Sequence, residues 1–339
     1  MHLPQGLGVG LIPMRLLALL TLVLFLLIAL AIALGETPLS VHQYAQAFAA
    51  PASPAGEVLW SLRAPRAVAA AVVGAALGLA GAAMQGLLRN PLADPGVLGV
   101  SAVSALGAAI VIAGGLALAM PGAIELGALA GALAAGALVV FLAARFRQPE
   151  TLILFGVALS AMGGALIALV FNLSPSLITT NEVLNWLLGS VANRDWGDIA
   201  AALIPAVPGA ALVAYAARGL RMLTLGEETA ALSGLPMARL RAAAVAGAAL
   251  LTGAAVAMAG VIGFVGLAAP HLVRGSVSDD PARALAPSAL VGAVLLVAAD
   301  LAARLIPTDE ELKLGVVTAL FGAPLFALVA WRASRSWRT

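Results

Sequence analysis

Few residues in this chain have the type and spacing that chemistry needs. Of 339 residues, one is a lysine, Lys313, three are histidines, His2, His42 and His271, and none is a cysteine. The cysteine count excludes a disulfide framework and a thiolate metal site. The histidines lie too far apart for a local metal motif. No lysine follows a glycine-rich loop, so the chain cannot hold ATP in a P-loop. No catalytic residue, metal ligand or cofactor is expected. Asp300 stands in an apolar run four residues before Arg304, which reads as an ion pair on one helix face. No run of acids accompanies it as a proton relay would require. His271 and Gln85 read as hydrogen-bonding residues between helices.

Charge concentrates in one interval, Arg218 to Arg241, RGLRMLTLGEETAALSGLPMARLR, with four arginines and two adjacent glutamates. It spells a small helix. Thr224 is placed to be its N-cap and Glu227 to close a capping box. Glu227 and Glu228 fall in the first turn, where the helix dipole favours negative charge. Gly234 supplies the stop and Pro236 follows. A helix of about two turns is marginal alone in water, so it must dock. It is either a connector resting on its own chain or a docking element for a partner protein.

The surrounding elements are apolar. The chain is 62% hydrophobic and 10% charged, against roughly 25% charged residues in soluble domains. This predicts an all-α polytopic membrane protein forming one domain over residues 1–339. Ten apolar segments stand out, at about 16–34, 66–88, 97–117, 122–143, 151–172, 196–217, 242–259, 262–274, 285–304 and 315–331. The run at 16–34 is too long for a signal-peptide core, typically about 7–15 residues, and is expected to be a retained first helix. Segment 262–274 is short, and Gly260, Gly263 and Gly266 favour a break before it. The spacings Gly74-x-x-x-Gly78 and Gly127-x-x-x-Gly131 suit close helix approach in lipid.

Ten spans put both termini on one side. With the N-terminus in the cytoplasm, Arg15, Arg89, Arg145, Arg147, Arg218, Arg221, Arg239, Arg241, Arg274, Arg283, Arg332, Arg335 and Arg338 are inside, and Arg63, Arg66, Arg194, Arg304 and Lys313 outside. Thirteen against five follows the positive-inside bias and puts the 218–241 loop in the cytoplasm. Merging 242–274 into one span would erase the bias. Residues 173–195 form an external segment in which 183–188 suits a short interfacial helix. The turn Arg89-Asn90-Pro91-Leu92-Ala93-Asp94-Pro95 carries cap and turn residues in Asn90 and Asp94. The external Arg63, Arg66 and Arg304 run against the charge trend. They are either interfacial anchors or a docking site for an acidic surface.

Four blocks carry a resemblance: Arg63-Ala-Pro-Arg66 with GAALGLAGAAMQGLLRNPLADPGVLGVS at Gly74–Ser101, GVIGFVGLAAPHLVR at Gly260–Arg274, ADLAAR at Ala299–Arg304, and LGVVTALFGAPLF at Leu314–Phe326. In this order they resemble the iron-chelate/cobalamin (FecCD-type) permease family of ABC importers. The resemblance implies a ten-helix type II importer fold in the bacterial inner membrane, working as a homodimer with two ATPase subunits and a periplasmic binding protein. It implies that Arg63, Arg66 and Arg304 meet acidic residues of that binding protein. It implies that Leu225, Gly226, Glu227 and Glu228, with the helix to Gly234, couple to the ATPase. It also implies a cytoplasmic gate near Glu150 and Thr151, where this chain departs from the family's small hydroxyl residues. The cargo implied is a bulky chelate, a ferric siderophore first, with haem or cobalamin as alternatives. A secondary, ion-coupled transporter is the rival function.

Overall fold

The computed structural model describes residues 14–35, 37–146, 149–174, 176–306 and 311–324, with the backbone alone at 97, 144, 149 and 150. All regular structure among them is helical. In chain order the helices are α1 (Met14–Ala33), α2 (Val41–Ala49), α3 (Pro54–Gly56), α4 (Ala64–Leu88), α5 (Val100–Ala113), α6 (Leu116–Ala119), α7 (Ala123–Arg145), α8 (Pro149–Leu173), α9 (Leu177–Leu187), α10 (Trp196–Met222), α11 (Glu227–Leu232), α12 (Met237–Ala259), α13 (Val265–Arg274), α14 (Pro281–Leu305) and α15 (Leu314–Pro324).

Among the described residues, seven helical stretches are long and apolar enough to cross a membrane: α1, residues 54–88, α7, α8, α10, α12 and α14. Three of the expected segments fall on shorter helices. Residues 97–117 are cut down because Pro95–Leu98 forms a 3-10 turn and glycines at 114 and 115 end α5. Residues 262–274 reduce to α13, ten residues long. Segment 315–331 is described as far as Pro324, in α15. The second segment is instead longer than expected. It begins at Pro54 and runs through a π-helical stretch, Glu57–Arg63, into α4. Pro65 has no N–H to give to that ladder, and a wider turn upstream is how a helix continues past it. The helix expected at 183–188, α9, starts six residues earlier, because the Ser176 hydroxyl caps the N–H of Ile178.

The expected break before 262–274 is present. α12 ends at Ala259, Gly260 takes a positive φ of 70°, and α13 begins five residues later. A short helix at this depth needs protein around it. α13 has it, lying against α4 and α14.

α4 and α12 form the interior and α14 packs along α4, whereas α1 buries a single residue, Ala31. Small residues set the α4–α14 distance. A Cβ added at Gly74 would lie 2.2 Å from the carbonyl oxygen of Gly292, and one at Gly78 would lie 2.2 Å from that of Ser288. With lipid as solvent, hydrophobicity does not drive helices together, and such backbone contact supplies the packing.

Gly74→Val is therefore expected to force the pair apart at a cost of about 1–3 kcal/mol, read as a lowered melting temperature of the purified protein in detergent. Gly164→Val, where an added Cβ meets nothing within 4 Å, should leave it unchanged.

Candidate functional site

The charged side chains gather at the two ends of α14. At the Leu305 end, the arginines expected to be external come together. Arg63 and Arg304 are almost fully buried, at 6% and 7% exposure. Arg63 Nη1 donates to the carbonyls of Ala33 (3.0 Å) and Ile32 (3.4 Å), and its Nη2 donates to that of Thr37. Arg304 Nη1 donates to Ala31 (3.1 Å) and Leu34 (3.4 Å). Those of Ala31, Ile32 and Ala33 are the last carbonyls of α1, which have no partner inside the helix and carry the negative end of its dipole. Two arginines thus cap α1 from neighbouring helices.

Arg66 completes the network. Its Nε and Nη2 donate to Asp300 Oδ1 at 3.0 and 2.8 Å, and its Nη1 and Nη2 donate to the two oxygens of Glu311. Asp300 is 2% exposed and its Oδ2 lies 3.2 Å from Arg304 Nε. The expected Asp300–Arg304 pair is present, with Arg66 as a second partner. Sharing one carboxylate keeps both guanidiniums paired where water is absent, which a buried charge requires. Arg63, Arg66 and Arg304, with Arg194, line a cavity of about 430 Å³. The structure gathers the three expected docking arginines while directing Arg63 and Arg304 onto their own chain. Arg194 pairs with Glu125 at 3.0 Å.

The opposite end holds the 218–241 loop. α10 ends at Met222, Leu223–Leu225 makes a 3-10 turn, Gly226 stands at φ 100°, and α11 follows. Thr224 is not the N-cap: its hydroxyl donates instead to the carbonyl of Arg221 at 2.8 Å. The 3-10 turn consumes the residues that would have led into the helix, so Gly226 takes the N-cap position with no side-chain bond and the capping box does not form. The stop is as expected. Gly234 has φ 84°, its N–H donates to Ala231 O at 3.0 Å, and Leu235 N–H donates to Ala230 O at 3.2 Å. This is the paired pattern that satisfies the last carbonyls of a helix.

Two ion pairs fix this loop to the bundle. Glu227 binds Arg241, which is buried near the start of α12 and also donates to the carbonyl of Phe146 at 3.5 Å. Arg221 reaches Asp280 at 2.6 Å. Asp280 is the N-cap of α14, accepting from the N–H groups of Ala282 and Arg283. With Glu227 occupied, the exposed surface includes Leu225, Glu228, Thr229 and Leu232, the two leucines 69% and 90% exposed. Glu150 and Thr151 stand in the first turn of α8, and the side chain of Glu150 lies outside the described residues. The next residue, Leu152, is buried and shares a small cavity with Arg89, Glu227 and Arg241, which puts the start of α8 beside the loop.

The turn after α4 behaves as its residues predict. Asn90 Oδ1 accepts from the N–H of Leu92, and Asp94 Oδ1 from that of Gly96 at 2.7 Å. Burial pushes the Asp94 carboxyl up to about 6, opposed by the bond from Gly96. The raised value means that Asp94 favours the fold below its unfolded pKa and that this contribution is lost as pH rises through about 6.

Sequence reasoning missed Glu311, Asp280 and Arg241. The excess of external arginine signalled that acids must face it, but Arg66 and Glu311 are 245 residues apart. The Ser278-Asp279-Asp280-Pro281 run before α14 did carry a legible cap in Asp280.

A family model described as the FecCD transport family matches residues 21–332. The chain belongs to the FecCD transport family. It is 42% identical over 287 residues to the uncharacterized ABC transporter permease protein YvrB of Bacillus subtilis (strain 168), covering 83% of this chain and 81% of that one. It is 42% identical over 271 residues to the vitamin B12 import system permease protein BtuC of Vibrio cholerae, covering 80% and 81%. BtuC of Escherichia coli O157:H7 is 39% identical over 289 residues, covering 84% and 86%. Among solved structures, an ABC transporter described as metal-chelate type, in an inward-facing conformation, matches with a TM-score of 0.84 and 31% identity over 94% of this chain and 99% of that one. This FecCD-family chain is thus an ABC transporter permease, and its relatives are transport subunits rather than enzymes.

The buried network gives Arg304 a structural duty that a purely outward-reaching arginine would lack. Arg304→Gln in this permease removes the bonds to α1 and half of the pairing of Asp300. It is expected to cost about 3–5 kcal/mol, read as a lower melting temperature in detergent. A melting temperature equal to that of the unsubstituted protein would show that the network carries no stability.

Proposed function

We propose that this permease is the membrane subunit of an ATP-driven importer that moves a bulky metal chelate into the bacterial cytoplasm. In this reading all 339 residues form one domain with ten spans, including α5, α13 and α15 within the protein-lined interior. Both termini are cytoplasmic. Two copies form the pathway, two ATPase subunits dock beneath, and a periplasmic binding protein delivers cargo from above. α11 and its exposed Leu225, Glu228 and Leu232 meet the ATPase, and the start of α8 at Glu150 and Thr151 gates the path. A chain without a nucleotide-binding loop must receive its energy from another subunit. A conformational equilibrium shifts only if that subunit binds one state better than the other. Family membership favours this reading over an ion-coupled transporter.

The observation that carries the cargo assignment is the likeness to BtuC along about four-fifths of the chain. It moves cobalamin ahead of ferric siderophores, the cargo favoured by the family's breadth, and haem remains the third candidate of the class.

The test is uptake into proteoliposomes holding the permease, its ATPase and its binding protein. ATP-dependent accumulation of labelled cyanocobalamin, lost in Glu228→Lys without loss of the folded permease, is the expected result. Accumulation of a ferric siderophore and not cobalamin would overturn the cargo assignment. Uptake driven by a proton gradient with the permease alone would overturn the ABC reading.

A further inference from the structure

The cavity at the Arg304 end holds a carboxylate that is not needed to balance the buried network in the way Asp300 is. Arg66 binds two acids, and they are held very differently. Asp300 belongs to α14, is 2% exposed, and is shared with Arg304. Removing it would strand the Arg304 guanidinium away from water and leave Arg66 with Glu311 alone. Glu311 comes from the segment before α15, its side chain is 26% exposed, and its carboxylate bonds to Arg66 and to no other described residue.

We propose that Glu311 is a built-in stand-in for a partner's carboxylate, occupying on Arg66 the position that an acidic side chain of the docked binding protein takes over. The proposal rests on the reading of this face as the docking surface for that protein. Exchange of one carboxylate for another keeps Arg66 paired at the start and the end, so docking need not expose a bare charge. The cavity offers the incoming acid more than Arg66. Four arginines line its wall against two acids, Asp195 and Glu311. Arg304 is one of the four, its Nη2 closed to solvent and without a hydrogen-bond partner among the described residues. Arg66 and Arg304 pair with Asp300 and Glu311, and Arg63, held on backbone carbonyls beside them, makes three positive charges against two negative. A carboxylate entering beside Arg304 brings the balance to zero if Glu311 stays, and returns it to the starting value if Glu311 leaves.

The partner this chemistry selects is a protein surface with a projecting glutamate or aspartate, drawn in by the excess positive charge. Glu311 then sets the affinity, because a site occupied by its own stand-in is competent to bind for only part of the time. The arrangement lets the binding protein dock and leave within one transport cycle, as an Arg66 held by Asp300 alone would not.

The experiment measures docking of the binding protein that supports uptake, immobilised for biolayer interferometry, to the permease–ATPase complex in nanodiscs. Glu311→Gln is expected to tighten Kd about three- to tenfold. Glu311→Asp, which withdraws the carboxylate by one methylene, should tighten it by less. Arg66→Glu should abolish docking. Gel filtration of each complex identifies a variant that has failed to assemble, and Glu311→Asp decides if Glu311→Gln is such a variant. Unchanged or weaker docking of the assembled Glu311 variants, with docking still lost in Arg66→Glu, overturns the stand-in role alone. Unchanged docking of Arg66→Glu overturns the docking reading itself and the stand-in with it.

Discussion

The cost of a charge held away from water shapes both ends of this molecule. Asp300 is the point on which one end turns. Its carboxylate is shared by Arg66 and Arg304, and those two arginines connect α4 to α14 and α14 to the end of α1. Loss of Asp300 would leave Arg304 with no acid, and loss of either arginine would leave Asp300 with one partner in place of two, so the network fixes where three helices meet. At the other end Asp280 does similar work with less burial. It caps α14 and takes Arg221 from the end of α10. α14 therefore begins and ends in ion pairs to other helices, about 30 Å apart at 1.5 Å per residue.

Between these ends the contact with α4 is made by backbone rather than by long side chains. Gly74, Gly78 and Gly292 bring the two helices to a separation that no larger residue permits. Such a seam has little freedom to slide, because a displacement of either helix drives carbonyl oxygens into the opposite backbone. α4 and α14 form one body. In the proposed transport cycle this body joins the loop that meets the ATPase to the face that meets the binding protein. The start of α8 lies beside that loop through Leu152 and Arg241, where motion of the loop relative to α8 would open or close the path.

Much of this was legible in the sequence, for identifiable reasons. Apolar runs and glycine spacing are local signals, and they located the long helices, the break before α13 and a close-packing face on α4, but not its partner α14. Asp300 and Arg304 are four residues apart, so their pairing was readable from one helix. Gly234 was readable as a stop because an αL residue after a helix is a local requirement. Thr224 shows the limit. Its spacing to Glu227 fits a capping box, but a 3-10 turn continuing from α10 took Thr224 out of that role. The functional faces were less legible because they depend on long-range pairing. Arg63 and Arg304 read equally well as outward docking groups until α1 supplied the carbonyls that they bind. Glu311 carried no local signal at all, since its partner lies on the opposite side of the sequence.

The central claim is that α4 and α14 move as one body between the two charged ends. The chain has no cysteine, so spin labels can be placed by two substitutions alone, at Arg89→Cys beyond the end of α4 and at Leu305→Cys at the far end of α14, both exposed positions. Pulsed electron–electron resonance across this pair, in the permease–ATPase complex without nucleotide and with ATP trapped, measures the body directly. The account predicts the same distance distribution in both states. A distribution that shifts or splits on trapping ATP would contradict it.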